Sequence, residues 1–266
     1  MTGAVTGIVH HWPTWLLGVV VVSSFAFVAV AGLLLFRRVT GGRLPLSEDM
    51  NNDIIFFSSA IGVFYSLVVG LMAASVWSNY SGVSDVLSGE AAALGALYRT
   101  ALDFPEPTRG RLRTDLREYA EFVVERSWPA QRRGEVNDGA RHLIDRVQGH
   151  LLAFEPTTLG GQAVYAETLR LFTEMIELRR KRIEAVGGNL PGVMWGIVLL
   201  GAALSVGVTY LLKIQSVIQI LLTGFLAAFM GLVVFVMGGM DSPLTGPLAL
   251  SSEPYEIVLR GMTDGR

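Results

Sequence analysis

Residues 54–77 read IIFFSSAIGVFYSLVVGLMAASVW, twenty-four consecutive side chains without an ionisable group. At about 1.5 Å per residue a helix of this length rises roughly 36 Å, enough to cross a hydrocarbon core of about 30 Å. Three further uncharged stretches, 15–36, 190–212 and 216–238, are 22 to 23 residues long. Only 17% of the 266 residues are charged, against about 25% in soluble domains. A soluble single-domain enzyme is excluded. The net charge of −2 also excludes wholesale binding of polyanions, so no nucleic-acid partner is expected. The expected fold is all-α: an integral membrane protein with four transmembrane helices and a helical extramembrane domain between spans two and three.

Inside 54–77 the side chains divide by face. Ser58, Gly62, Ser66, Gly70 and Ala74 recur every fourth residue, the small-xxx-small spacing that lets helix backbones approach in lipid. Phe57, Ile61, Phe64 and Val68 fall on roughly the opposite face, and Phe56 precedes them. One reading is that the small face packs while the aromatic face meets lipid or other helices. The other is that span two lines a pore, with Phe57, Ile61 and Phe64 as an apolar constriction. A single helix per subunit supplies too little lining, so the second reading requires several copies around an axis.

Outward from this helix the chain divides into a tail (1–14), spans one and two (15–77), a central domain (78–189), spans three and four (190–240) and a C-terminal tail (241–266). The first span is not a signal peptide: no Lys or Arg precedes it, and its 22 apolar residues exceed a signal h-region. Trp12 and Trp15 stand at its start as interfacial anchors. No proline occurs between Pro45 and Pro105, so span two is expected to continue as one helix beyond the membrane. The central 112 residues hold 15 basic and 16 acidic side chains. Their apolar stripes have helical period: Ala91, Leu94, Leu97, Tyr98 and Leu102; then Leu112, Leu116, Tyr119, Ala120 and Val123 up to Trp128-Pro129. Two more follow, one from about Asp138 with Leu143, Val147, Leu151 and Phe154, and one from about Pro156 with Val164, Leu171, Met175, Leu178 and Ile183. Spans three and four form a tight hairpin across Lys213, Ile214 and Gln215, and Asp241-Ser242-Pro243 opens a polar tail.

No Asp, Glu, Lys, Arg or His lies within the four spans. Such residues mark proton relays and coupled transport, and their absence points away from a pump. Hydroxyls, carbonyls and apolar constrictions still suffice for a channel. Glu90, among alanines, reads as a surface glutamate or as a ring of charge facing a cavity. Arg179, Arg180, Lys181 and Arg182 read as a solvated helix end or an anchor for anionic headgroups. His10, His11, His142 and His150 have no metal-ligand spacing, and with no cysteine there is neither disulfide nor thiolate site. No Walker sequence, nucleophile elbow or metalloprotease helix occurs, so neither enzyme activity nor a cofactor is expected. Short-loop Arg37, Arg38, Arg43 and Lys213 oppose the 179–182 cluster in the positive-inside count, which leaves orientation open. Arginine outnumbers lysine nineteen to two, the usage of a GC-rich bacterial genome. The expected location is the bacterial inner membrane.

Four stretches carry a family resemblance: FYSLVVGLMAASVWSNYSGVSDVLSGEAAALGALYR (64–99), LREYAEFVVERSWPA (116–130), ELRRKRIEAVGGNLPGVMW (177–195) and DSPLTGPLALSSEPYEIVL (241–259). Together they resemble the bestrophin-like membrane family, DUF4239, and through GVFYSLVV of span two they are distantly similar to bestrophin ion channels. The resemblance implies a pentamer with cytosolic helical domains and passive ion conduction through an axial neck lined by span two, with Phe64 at a neck-like position and Phe56 or Phe57 and Ile61 nearby as further pore-lining candidates. The expected partners are lipids, further copies of the chain and permeant ions. Ser59 and Ala60 stand one turn before the aromatic pair, where a second bulky ring would be expected, and no acidic cluster follows span four, so calcium gating is not carried over. Two other readings share the layout: a stator-like energy-coupling protein, which needs a partner helix bearing an acidic residue, and a non-conducting scaffold.

Overall fold

The computed structural model describes residues 13–41, 47–136, 139–188, 190–212 and 215–264. The expectations for His10, His11, Trp12, Arg43 and Lys213 lie outside the described residues. Among those described, every regular element is helical: α1 (Thr14–Val39), α2 (Glu48–Thr100), α3 (Thr108–Phe122), α4 (Trp128–Arg132), α5 (Arg141–Leu152), α6 (Leu159–Glu184), α7 (Gly192–Thr209), α8 (Ser216–Met240) and α9 (Glu253–Asp264). Four of them, α1, α2, α7 and α8, are long and apolar enough to cross a membrane. The chain forms two compact units, residues 1–78 with 189–241 and residues 79–188 with 242–266. Helix α2 contributes to both.

In the first unit α1 lies along α8. Glycine permits that approach: a Cβ on Gly231 would stand 2.9 Å from Phe25 Cβ and 3.3 Å from Val22 Cα. A Cβ on Gly201 of α7 would likewise collide with the ring of Tyr65 on α2. Close backbone packing takes the place of a hydrophobic driving force here, since lipid is as apolar as the side chains. Met72, Val198 and Met237 form a small core, joined by Trp195 and Val233. Polar contacts fasten the helix ends. The Asp241 carboxylate accepts from Leu190 N–H and from Trp195 Nε1, each at 3.0 Å. Gln219, whose amide accepts from Arg37 Nη2 at 2.6 Å, donates to the carbonyls of Thr209 and Leu212. Those carbonyls lie at the end of α7 and just beyond it, where a helix leaves acceptors open, and the Thr209 carbonyl also accepts from Leu212 N–H at 3.4 Å.

The second unit is built on the residues that the periodicity selects. Leu94, Leu97, Leu112, Leu116, Tyr119, Val123, Val147, Leu151 and Met175 are all buried in one core, while Leu102 at the end of the first stripe is exposed. Pro129 does not end the third helix as its position suggests. A π-turn over Val123–Ser127 precedes it, and α4 continues to Arg132 with the proline in its first turn. There the missing N–H costs nothing, and the wider turn relieves the ring's clash with the preceding carbonyl. Helix α6 begins at Leu159, behind a Thr158 cap whose Oγ1 accepts from Gly161 N–H. The last 25 residues are not merely a polar tail. Ser252 and Glu256 join side chains at the start of α9, and Tyr255 and Met262 enter the core of the second unit.

Candidate functional site

The aromatic face of α2 is bare within one protomer. Phe56 is 72% exposed, Phe57 64%, Phe64 71% and Ile61 37%. None of the residues in the most apolar window of α2 is buried, and Phe56 and Phe57 touch each other edge to face with centroids 5.9 Å apart. The small face is equally open. Gly62, Ser66, Gly70 and Ala74 are exposed and Ser58 is half-buried. A Cβ at Gly62 or Gly70 would meet nothing within 4 Å among the described residues. Neither face of the helix is therefore satisfied by the protomer's own helices.

Between α2, α7 and α8 lies an apolar groove of about 500 Å³, lined in part by Ile61, Tyr65, Ser66, Ser205 and Met230. Ile61 thus borders the small residues as well as the rings, a position the helical wheel assigned only to the aromatic side. Ser59, Ser66 and Ser75 return their hydroxyls to carbonyls three or four residues back, the usual solution for serine in an apolar helix. The hydroxyls of Ser58 and Ser205 have no hydrogen-bond partner among the described residues.

Further along α2, Glu90 is neither on the surface nor in a cavity. Its carboxylate is wholly buried and accepts four hydrogen bonds: Arg182 Nε at 2.7 Å, Arg182 Nη2 at 3.1 Å, Tyr119 OH at 2.5 Å and Tyr255 OH at 2.8 Å. Arg182 is only 1% exposed, so it is not part of a solvated helix end. Arg180 and Lys181 pair instead with Glu184 and Glu177 on the surface of α6. Burial opposes the Arg182 charge, yet Glu90 and the two phenols facing it hold its pKa well above the ordinary value. Burial, followed by the Glu90 charge, pushes the phenols of Tyr119 and Tyr255 far up. The result is a fixed charge pair with two neutral donors. It joins α2, α3, α6 and α9, four segments far apart in sequence.

His150 lies 3.2 Å from Asp115, and Arg146 also bonds Asp115 and Glu118, so the histidine serves an ion-pair cluster. Among the described residues no three His, Asp or Glu side chains gather into a metal-holding group. The sequence reading did not foresee the Glu90 cluster or the polar clamps at Gln219 and Asp241. The signal for Gln219 was an amide inside an otherwise apolar span.

A family model described as the bestrophin-like domain matches residues 23–255. The fold is similar to the crystal structure of a bacterial bestrophin homolog from Klebsiella pneumoniae carrying a tyrosine-to-alanine mutation. That likeness has a TM-score of 0.69 at 10% identity and covers 94% of this chain and 98% of the other. No curated protein matches the chain in sequence.

Proposed function

Because the chain belongs to the bestrophin-like family over residues 23–255, we propose that this multi-pass membrane protein is a passive ion channel, a ring of identical subunits whose axial path is lined by α2. The observation that carries the proposal is the exposed apolar face of α2, with Phe56, Phe57, Ile61 and Phe64 open in the protomer. Lipid alone can cover such a face. Two features favour a ring: the second, small-residue face of the same helix is also open, and α2 is the span whose apolar window has no buried residue, whereas 11% to 28% of the window is buried in the other three.

Five copies complete the ring. Ser58, Gly62, Ser66, Gly70 and Ala74 then receive the neighbouring subunit, and the rings of Phe57 and Phe64 turn to the axis. A constriction of this kind gates by dewetting and needs no intramembrane charge. The helical second unit lies on the cytosolic side. Reporter fusions after Gly42 and after Pro107, read for opposite activity, establish that orientation.

The test is reconstitution of the purified oligomer into liposomes, with ion flux followed under a salt gradient. Flux is expected, and F64A is expected to raise it by widening and wetting the neck while leaving the oligomer intact. Absence of flux in every salt and at every voltage removes the channel reading. Flux unchanged by Phe57, Ile61 and Phe64 substitutions removes α2 from the path.

A further inference from the structure

We propose that the second unit carries a binding site for a phosphate-class anion, in the cavity where the C-terminal part of α2, the start of α3 and the end of α9 meet. The cavity is about 370 Å³ and is lined by Tyr98, Glu106, Arg109, Arg113, Arg117 and Thr263, among others. Volumes of this size are ordinary for small-ligand sites.

Arg109, Arg113 and Arg117 are spaced i, i+4, i+8 on α3, so all three guanidinium groups rise from one face of the helix. Three surface arginines elsewhere pair with carboxylates: Arg133 with Glu135, Arg146 with Asp115 and Glu118, Arg170 with Glu167 and Glu174. At this cavity Arg109 and Arg113 have no carboxylate partner among the described residues. Arg109 donates to the Phe104 carbonyl at 2.8 Å. Arg113 donates from Nη2 to the Tyr98 hydroxyl at 2.7 Å and lies 4.6 Å from the centre of that ring. Both partners are neutral. Arg113 Nε is buried with no hydrogen-bond partner among the described residues. Arg117 has only Glu121, at 3.7 Å and half exposed.

The single carboxylate in the lining, Glu106, accepts from Gly110 N–H at 3.2 Å in the first turn of α3. That cap satisfies one of the helix's unpaired donors and draws the carboxylate to the helix end. Three guanidinium groups against Glu106 in the lining, with Glu121 beside Arg117, leave the cavity cationic. Planar guanidinium groups in a row match an anion bearing several oxygens, since each presents donors in a fixed fork. The hydroxyls at the edge of the cavity are already committed, Thr263 donating to the Leu259 carbonyl at 2.9 Å and Tyr98 to the Met262 carbonyl at 3.0 Å, so the donors left for an anion are the guanidinium groups of α3.

The probe is pyrophosphate, added at constant ionic strength to the purified full-length oligomer in detergent, with thermal unfolding and calorimetric titration as readouts. Sulfate and chloride serve as controls. Ligand that binds only the folded state raises the unfolding temperature in proportion to the logarithm of its occupancy ratio. Pyrophosphate is expected to bind at least tenfold more tightly than sulfate. R109Q/R113Q is expected to weaken it at least tenfold, and R111Q, an exposed arginine outside the lining, to leave it unchanged. If R109Q/R113Q does not assemble, R117Q at the rim decides, with a loss of at least threefold. A parallel titration with dihexanoyl phosphatidic acid distinguishes the source of the phosphate. Preference for the lipid assigns a headgroup, and preference for pyrophosphate assigns a soluble ligand. Failure of both probes to bind, or binding that survives the arginine substitutions, overturns the proposal.

Discussion

Replacing Glu90 by alanine tests whether the buried cluster holds the second unit together. The substitution leaves Arg182, 1% exposed, with its charge uncompensated in the core and Tyr119 and Tyr255 without their acceptor. Removing one partner of a buried ion pair costs about 3–5 kcal/mol. Each orphaned phenol adds about 1–3 kcal/mol where water does not replace the lost acceptor. For a unit of this size, between the ranges given for small and large domains, each kcal/mol lowers the melting temperature by roughly 3–4 °C. The ion-pair share alone therefore predicts a fall of about 10–20 °C. The assay is survival of the monodisperse oligomer after heating, read by size-exclusion chromatography. The cycle of E90Q, R182M and the double variant isolates the pair. Each single change leaves a mismatched interior. The double change removes both charges and keeps an amide oxygen for the tyrosines, so it is expected to lose much less than the sum. A coupling below about 1 kcal/mol in that cycle, or an E90A shift of less than about 3 °C, refutes the reasoning.

Four further outcomes follow from the same geometry. Tyr119 and Tyr255 have raised pKa values, so the folded state retains protons that the unfolded chain gives up. Their contribution is complete below the ordinary phenol value of about 10 and is lost as pH rises beyond it. In a 295 nm titration their share of the absorbance should appear only with unfolding, and Y119F or Y255F should diminish that late step. D241A removes the acceptor for Leu190 N–H and Trp195 Nε1 and should cost about 1–3 kcal/mol. D241N keeps one oxygen and should cost about half as much in the same heating assay. G231L drives a side chain into Phe25 and the backbone at Val22 and should destabilise by about 1–3 kcal/mol. Gly62→Ala meets nothing within the protomer, so any loss of oligomer that it causes reports a contact between copies.

What the sequence made legible was what depends on near neighbours. The long α2 followed from the absence of proline between Pro45 and Pro105, and the core of the second unit followed from 3.6-residue stripes. Glu90 was misjudged because nothing near it in sequence identifies its partners, which lie 92, 29 and 165 positions away. Alanine neighbours look the same whether a glutamate faces solvent or an arginine. Helix α9 is a different case, since its signal was present. Tyr255, Val258, Leu259 and Met262 stand at i, i+3, i+4 and i+7, but the polar residues around Asp241 made the whole segment look like a tail. The π-turn before Pro129 had no such signal. A proline permits either a stop or a bulge, and packing of Val123 and Trp128 into one core selects the bulge.

Burial of Glu90 also bears on what the proposed channel conducts. With this carboxylate spent on Arg182, the candidates for charge along the path are the residues at the ends of the apolar run of α2. Asp49 and Asp53 precede it, Asp85 follows it, all three are exposed, and the first basic residue of the helix is Arg99. Asp53 stands four residues before Phe57 and so on the same face, about 6 Å further along the axis. At the end of α1, Arg37 is bound to Gln219 and Arg38 is exposed. In the proposed ring, copies of Asp53 would form a circle of carboxylates at the mouth of the apolar neck, an arrangement that concentrates cations. In asymmetric potassium chloride the reversal potential should lie toward the potassium value, move toward zero in D53N and change sign in D53K. Anion preference in the unaltered channel, or a D53K channel that conducts with an unshifted reversal potential, would mean that the path does not follow the aromatic face of α2.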